Sequence, residues 1–243
     1  MLILALDTTS RAGSLAIVRN GELMHAIAGD PSLTHGQRLP LDFMRVCDGA
    51  GVRLRDIELL AVAAGPGSFT GLRVGIAAIQ GLAMALDLGV VPVSTLEAVA
   101  ASASSDDTRI AAWIDAQRGE VFAQLWTRVA APSQADDRRP QPVVGVSAAI
   151  SASPEAVVES WSKAGLLDSL AFHGDGAVRY AERIRAIAGG GAVVSADTVP
   201  LAPTIGRIAD AEPGRAIVPH AIVPIYVRRP DAELARSRRE GSE

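Results

Sequence analysis

Three aspartates stand where a carboxylate can do chemistry. Asp7 and Asp115 each follow an apolar run, LILAL and IAAWI, at the head of a predicted hairpin, and Asp175 sits between Gly174 and Gly176. An acid in such a place holds a magnesium ion through water, as hard oxygen ligands do. An Asp that only caps a turn leaves the same local pattern, and for one Asp alone the turn is the commoner explanation. Matching positions in two similar stretches weigh the other way for Asp7 and Asp115. Asp175 suits either an approach to a nucleotide or an ordinary turn.

Residues 64–75, AGPGSFTGLRVG, form the second candidate. Gly65, Gly67, Ser68, Thr70 and Gly71 lie between an apolar run and a helical one, so Ser68 or Thr70 is placed to cap a helix. Three readings stay open. Backbone N–H groups at a helix start cradle an anion, although the lysine of a P-loop is missing and only Arg73 could partly stand in. Ser68 as a nucleophile lacks the Gly-x-Ser-x-Gly spacing. The third is a tight strand-to-helix turn whose glycines allow close packing. His25, His35, His173 and His220 make no pair at metal-binding spacing, and Cys47 reads as a packed thiol. Neither a nucleophile with its base nor a metal cluster is visible.

The elements that position these residues follow from periodicity. Strands are predicted at 2–6, 13–18 and 22–28, the last two joined by Asn20-Gly21. Thr34 caps a helix over 36–49, in which Leu39, Phe43, Val46 and Ala50 keep helical spacing and Leu41 with Met44 adds a second apolar edge. A strand at 59–64 leads into the glycine-rich turn and a helix ending near Leu86. That helix is apolar on every face: Leu72, Ile76, Ile79, Ala83 and Leu86 make one stripe, and Gly71, Gly75, Ala78, Gly81 and Ala85 a second of small residues. It is too short for a bilayer, which takes about 20 apolar residues. Burial on two sides is expected, against its own sheet and under a neighbouring helix of this chain or another.

A strand at 90–93 and a helix at 96–103 follow, and then the opening pattern returns: strand 110–114, acid-bearing turn, strand 120–126. This is weak evidence of a duplicated fold. Beyond a polar loop at 130–142 come a strand at 143–146, a helix at 154–164, a strand at 170–173, a helix at 177–188, a brief strand at 193–194, a helix at 203–211 and a last strand at 223–227. With 243 residues, 49 % hydrophobic and 4 % aromatic, the chain can build a sizeable core from Ala, Val, Leu and Ile. A net charge of −4 argues against a general nucleic-acid coat. One cysteine excludes an internal disulfide and suits a reducing compartment. Asp7 arrives too early for a signal peptide, so a soluble cytoplasmic protein with no membrane segment is expected.

Several stretches together resemble one family. LALDTTS (4–10), His35 in THGQRL, GPGSFTGLRVG (65–75), QGLA (80–83), VSTLEA (93–98), IDAQRGEVF (114–122) and IVPIYVR (222–228) are similar to the bacterial TsaB (YeaZ) family, a subunit of the system that makes threonylcarbamoyladenosine beside the anticodon of tRNA. GPGSFTGLR with IDAQRGEVF is specific; the likeness is looser over 130–199.

The resemblance implies an α/β fold of two actin-like (ASKHA, ribonuclease-H-like) halves, each a mixed sheet with flanking helices. The expected division is 1–104, 105–227 and a mobile charged tail at 228–243. It implies a catalytically degenerate relative of the threonylcarbamoyl-transferring subunit, TsaD, whose first helix carries a metal-binding histidine pair where His35 stands alone. Members pair through their first two helices in a four-helix bundle, as a homodimer or with TsaD, and a TsaE-type ATPase joins the assembly. The expected interface is Leu39, Phe43, Val46, Leu72, Ile76, Ile79 and Ala83, and Phe43→Asp is expected to give a folded monomer. Asp7, Thr8, Thr9, Ser10, Asp115, Gly174, Asp175 and Gly176 fall where the fold places its phosphate and adenosine loops. No cofactor is required on this reading; ATP or ADP with magnesium would bind at low affinity or at the partner interface, and tRNA only through the complex. The alternatives are an enzyme on this fold, a phosphotransferase or a glycoprotease-type peptidase, and a nucleotide-binding homodimer.

Overall fold

The computed structural model describes residues 1–104, 106–129, 141–189 and 191–228; most of the expected polar loop and the tail from 229 lie outside the described residues. β1 (Leu2–Asp7) pairs antiparallel with β2 (Ser14–Arg19), Leu2 opposite Arg19 and Asp7 opposite Ser14, and β3 (Glu22–Ala28) returns along β2. Asn20 and Gly21 take φ of 51° and 80°, the two positive angles that a type I′ turn requires. α1 (His35–Gly49) crosses to β4 (Leu59–Gly65), which lies parallel to β1. α2 (Phe69–Leu86) then leads to β5 (Val90–Ser94), parallel to β4. The sheet order is β3-β2-β1-β4-β5.

α3 (Thr95–Ala101) passes to the second half, where β6 (Arg109–Asp115) and β7 (Val121–Arg128) form the repeated hairpin. β8 (Val143–Gly145) and β9 (Ile150–Ala152) both pair with β7, and α4 (Pro154–Lys163) follows. β10 (Leu170–His173) runs parallel to β6. After α5 (Asp175–Arg179) and α6 (Ala181–Ala188), β11 (Val193–Val194) runs parallel to β10. Read from its far edge, this sheet is β8-β7-β6-β10-β11, the same path as the first. The duplication expected from two acid-bearing hairpins is thus present in the topology, in two mixed sheets of an actin-like α/β fold.

Pleating divides each strand between two cores. Leu2, Leu4 and Leu6 face α1 and α2, whereas Ile3 and Ala5 face the opposite side. That opposite side is covered by α7 (Ala202–Ala211), whose Ile205, Ile208 and Ala209 come from nearly 200 residues further along the chain. The N-terminal half is therefore discontinuous, 1–104 with the segment from about 201 onward. The boundary expected at 227 is corrected by the need of a sheet buried on both faces for a second cover. α3 packs against β6 and β7 through Leu96, Val99 and Ala100 and joins the halves. The second core centres on Trp113, which meets Phe172 edge-on at 5.5 Å and Trp161 at 6.0 Å.

Local expectations are corrected at three places. The helix read over 177–188 is two, broken at Tyr180, whose φ and ψ of −110° and 21° leave the helical well. The strand read over 223–227 is an unpaired extended strap: Ile222 plugs the first core and Ile225 N–H donates to the Ala64 carbonyl at 2.7 Å. Arg228 belongs to that strap and not to a tail, donating to Glu120 at 3.0 Å. The inward stripe of α2 is buried as expected, while Ala77, Gly81, Met84 and Ala85 are exposed, so the described residues of this chain do not supply its second cover.

Ile205 and Ile79 are both fully buried, on opposite faces of the first sheet. Ile205→Ala and Ile79→Ala should each cost about 2–4 kcal/mol in urea unfolding. A near-neutral Ile205→Ala would mean that α7 does not close this sheet.

Candidate functional site

The halves enclose a cleft of about 600 Å³. Among the expected residues Asp7, Thr9, Ser10, Gly174 and Asp175 line it; Thr8, Asp115 and Gly176 do not. Strand ends explain this. β1 ends in Asp7 and β10 in His173, and both deliver the residues that follow them to the same opening.

Asp7 is buried, and Oδ1 accepts the Thr9 N–H at 2.8 Å and the Thr9 hydroxyl at 2.6 Å. Burial raises its pKa; the Thr9 bonds offset part of that rise, and the charge of Asp175 adds to it. Asp175 is raised chiefly by burial too, with its Oδ1 accepting the Asp115 N–H at 3.0 Å. The structure therefore brings Asp7 and Asp175 together, not Asp7 and Asp115. Asp115 is held by Gln117, whose N–H and side-chain amide donate at 3.1 and 2.8 Å, and by Arg179 at 3.0 Å.

The glycine-rich turn lies away from the cleft lining, and its glycines serve contact. A Cβ on Gly71 would overlap the Thr8 carbonyl, one on Gly75 the Thr8 hydroxyl, and one on Gly67 would stand 2.5 Å from Thr9 Cβ. Thr8 Oγ1 donates to the Gly71 carbonyl at 2.8 Å, and Ser68 N–H donates to the Thr9 carbonyl at 2.9 Å. Ser68, not Thr70, caps α2, accepting the Gly71 N–H at 3.2 Å. The N–H groups that an anion would need are thus partly spent on the first loop, and of the three readings the close-packing turn is the one the geometry supports. Gly174 and Gly176 repeat the device, seating the start of α5 on the backbone of Trp113 and Ile114. Arg73 lies over Phe69, 4.0 Å from the ring centre, and donates to the Tyr226 hydroxyl at 3.3 Å.

Asp7 and Asp175 both line the cleft, and burial raises the pKa of each. Arg11, the one lysine or arginine lining the cleft among the described residues, directs Nε to the Pro31 carbonyl at 2.9 Å. Among the described residues no group of three or more His, Cys, Asp or Glu is placed to hold a metal.

The seven residues expected at an interface are buried under α1 and α2 against the chain's own sheet, from fully buried Val46, Ile79 and Ala83 to Phe43 at 9 % exposure. Helical spacing identified one apolar stripe correctly but could not say which apolar stripe faces the sheet; these seven face it and are not free for a partner, while the opposite faces of the two helices stay exposed. There Leu41, Met44 and Met84 are 50 %, 61 % and 74 % exposed. Sequence reasoning passed over Arg38 and Asp42, buried and paired on the inner side of α1. Their spacing of four residues was the available signal.

Residues 31–155 match the family model described as "TsaD: tRNA N6-adenosine threonylcarbamoyltransferase". Proteins called tRNA threonylcarbamoyladenosine biosynthesis protein TsaB in Escherichia coli and Haemophilus influenzae are 40 % and 39 % identical over 124 residues, 50 % of this chain and 53 % and 52 % of theirs. The chain spans about half the length of the curated relatives it matches in this way. YeaZ from Pseudomonas aeruginosa superposes with a TM-score of 0.72 at 29 % identity, covering 93 % of this chain and 99 % of that one. A second structure from that organism, a protein with similarity to peptidase YeaZ, gives 0.74 over the same shares, also at 29 % identity.

A carboxyl whose pKa is raised keeps its proton in the folded chain after the unfolded chain has released it. Stability should therefore fall as pH rises above the unfolded value of 3.8, and level off once the folded group ionises. Asp7→Asn, which keeps an acceptor for Thr9, should flatten that fall in urea unfolding measured from about pH 4 to pH 8. Parallel curves for the two proteins would clear Asp7 of it.

Proposed function

This chain belongs to the TsaB/YeaZ members of the tRNA threonylcarbamoyltransferase (TsaD) family, and on that premise we propose that it is a non-catalytic dimerisation and activating subunit of the complex that makes threonylcarbamoyladenosine in tRNA. It docks a TsaD-type transferase subunit, pairs with itself when alone, and admits a TsaE-type ATPase to the assembly. tRNA is reached only through that assembly, in the cytoplasm, with no membrane contact. The chain itself requires no cofactor.

The observation that carries this reading is the outer face of α1 and α2. The two helices lie together on one sheet and share one core beneath. Above it, Phe69, Arg73, Ala77 and Gly81 succeed one another every four residues along α2, followed by Met84 and Ala85, all exposed. On α1, Leu41 and Met44 are exposed as well. Small residues in the middle admit a second backbone, while Met and aromatic side chains at the ends offer contacts that interfaces favour. Of the chain's nine aromatic side chains, the two exposed ones, Phe69 and Tyr226, touch each other at one end of this face, 5.5 Å between ring centres. A contiguous exposed apolar surface on a folded protein marks a contact site.

The cleft is what favours a second reading, a nucleotide-binding homodimer or an enzyme on this fold, because its volume is that of a ligand site. The Asp115 carboxylate, already held by Gln117 and Arg179, weighs against it. Titration with ATP and magnesium should give no heat and no thermal shift; saturable binding by the homodimer would favour that reading over this one.

Purified TsaD- and TsaE-type subunits should modify tRNA faster when this chain is added, and no gain would remove the proposal. Met44→Asp should keep the fold and weaken the partner complex at least about tenfold in calorimetry, since the new charge must be desolvated on docking. Phe43→Asp should instead unfold the chain, because its ring faces the core.

A further inference from the structure

The inner face of α1 carries a charged cluster that docking does not use. The Arg38 and Asp42 side chains are 3 % and 5 % exposed and pair at 2.5 Å. Arg38 also donates to the Ala12 carbonyl and, at 2.8 Å, to His35 Nδ1, while His35 Nε2 lies 3.1 Å from the Ser10 carbonyl. Arginine is a donor only, so Nδ1 accepts and the ring proton sits on Nε2, facing Ser10. Burial, then the Arg38 charge, lowers the His35 pKa, against smaller opposing effects of the Ser10 carbonyl and of Asp42. Room is left for the guanidinium by Gly29, where a Cβ would overlap it, and by Gly13, where a Cβ would lie 3.0 Å from Nη2.

The cluster aims at one loop. Ser10, Arg11, Ala12 and Gly13 line the cleft, and their other ties are few: Gly13 N–H to Ser10 Oγ at 3.1 Å, Gly29 N–H to the Gly13 carbonyl at 3.4 Å and Arg11 to Pro31. We propose that Arg38 is a positioning residue that fastens this loop to α1, so that a partner seated on the outer face of the helix tightens the mouth of the cleft. The inference rests on the docking reading. Leu41 and Met44 outside and Arg38 and Asp42 inside occupy the same two turns of one helix, so a displacement or stiffening of those turns reaches both. The Arg38 charge extends further, lowering the pKa of Asp7 as the smallest of the influences on it.

Amide hydrogen exchange on the full chain, alone and saturated with a TsaD-type subunit, tests this. The 10–13 amides of the wild type should exchange at least about fivefold more slowly when the partner is bound, the low end of couplings between sites. Arg38→Met should still bind the partner and lose that difference. An Arg38 with only a structural role would speed exchange across the first sheet in free and bound protein alike and leave the ratio intact, which overturns the proposal. A bound wild type with an unresponsive loop overturns it as well, while failure of the wild type to bind any partner overturns the docking reading and this inference with it. Should Arg38→Met not fold, His35→Leu, which removes the contact to Ser10 and leaves the Arg38–Asp42 pair, should shrink the bound-to-free ratio; an undiminished ratio overturns the clamp.

Discussion

A sheet that buries both of its faces needs two covers, and most of this architecture follows from that. Every residue of β1 and β4 is buried, as near-continuous apolar strands in the middle of a mixed sheet must be. α1 and α2 supply one cover from nearby sequence. The other is α7, which returns after the whole second half has been built. The same return lays the strap along the first half, where Ile217 pairs with Val90 and Gln80 donates to the Pro219 carbonyl, before Arg228 reaches Glu120 and the Ala116 carbonyl of the second half. Because α7 serves as the cover on one side, α1 and α2 keep exposed outer faces on the other, met at α2 by the strap through Pro219 and Tyr226.

The second consequence concerns the loops that follow the strands. In both halves the helix after the strand that pairs parallel with the first, β4 or β10, starts directly against the end of that first strand, at Gly71 and Gly75 over Thr8 and at Gly174 and Gly176 over β6. Such approach is possible only without side chains, so the glycines are accounted for by backbone contact before any ligand is considered. The acids nearby are treated differently in the two halves. Asp115 is neutralised by Arg179 at the surface side of its hairpin, whereas Asp7 is turned inward and meets Asp175. Equivalent positions in the sequence thus have unequal chemistry, which tells against a symmetric two-loop grip on a phosphate chain.

What could be read in advance divides by distance along the chain. The hairpins, the Asn20-Gly21 turn, α1 and the strand before the glycine turn are local, and period and turn chemistry place them well. The repeat of an acid after an apolar strand correctly anticipated two halves. The return of α7 leaves no local mark, since its apolar positions suit either half. Val223, Ile225 and Val227 have the alternation of a strand, but the strap runs alongside α2 and meets a single carbonyl of β4 instead of a ladder. α1 and α2 have apolar residues on two sides, and periodicity cannot rank them; the larger, β-branched and leucine-rich stripes went to the sheet, leaving methionine and small residues outside.

Buried ion pairs are seldom a gain in stability over apolar packing, because both charges must leave water. The Arg38–Asp42 pair is therefore better understood through what it orders than through what it contributes to folding. An aliphatic pair at these positions could fill the space but could not hold the Ala12 carbonyl, the His35 ring and, through it, the Ser10 carbonyl in one arrangement. Gly13 and Gly29 are shaped around that arrangement, and one buried nitrogen, Arg38 Nε, is left without a partner in the described structure to maintain it. A fold that accepts an unpaired donor and two glycines to keep one loop against one helix has traded local stability for position. The loop it positions is the mouth of the cleft, and the helix is the one whose other side stands open to a partner.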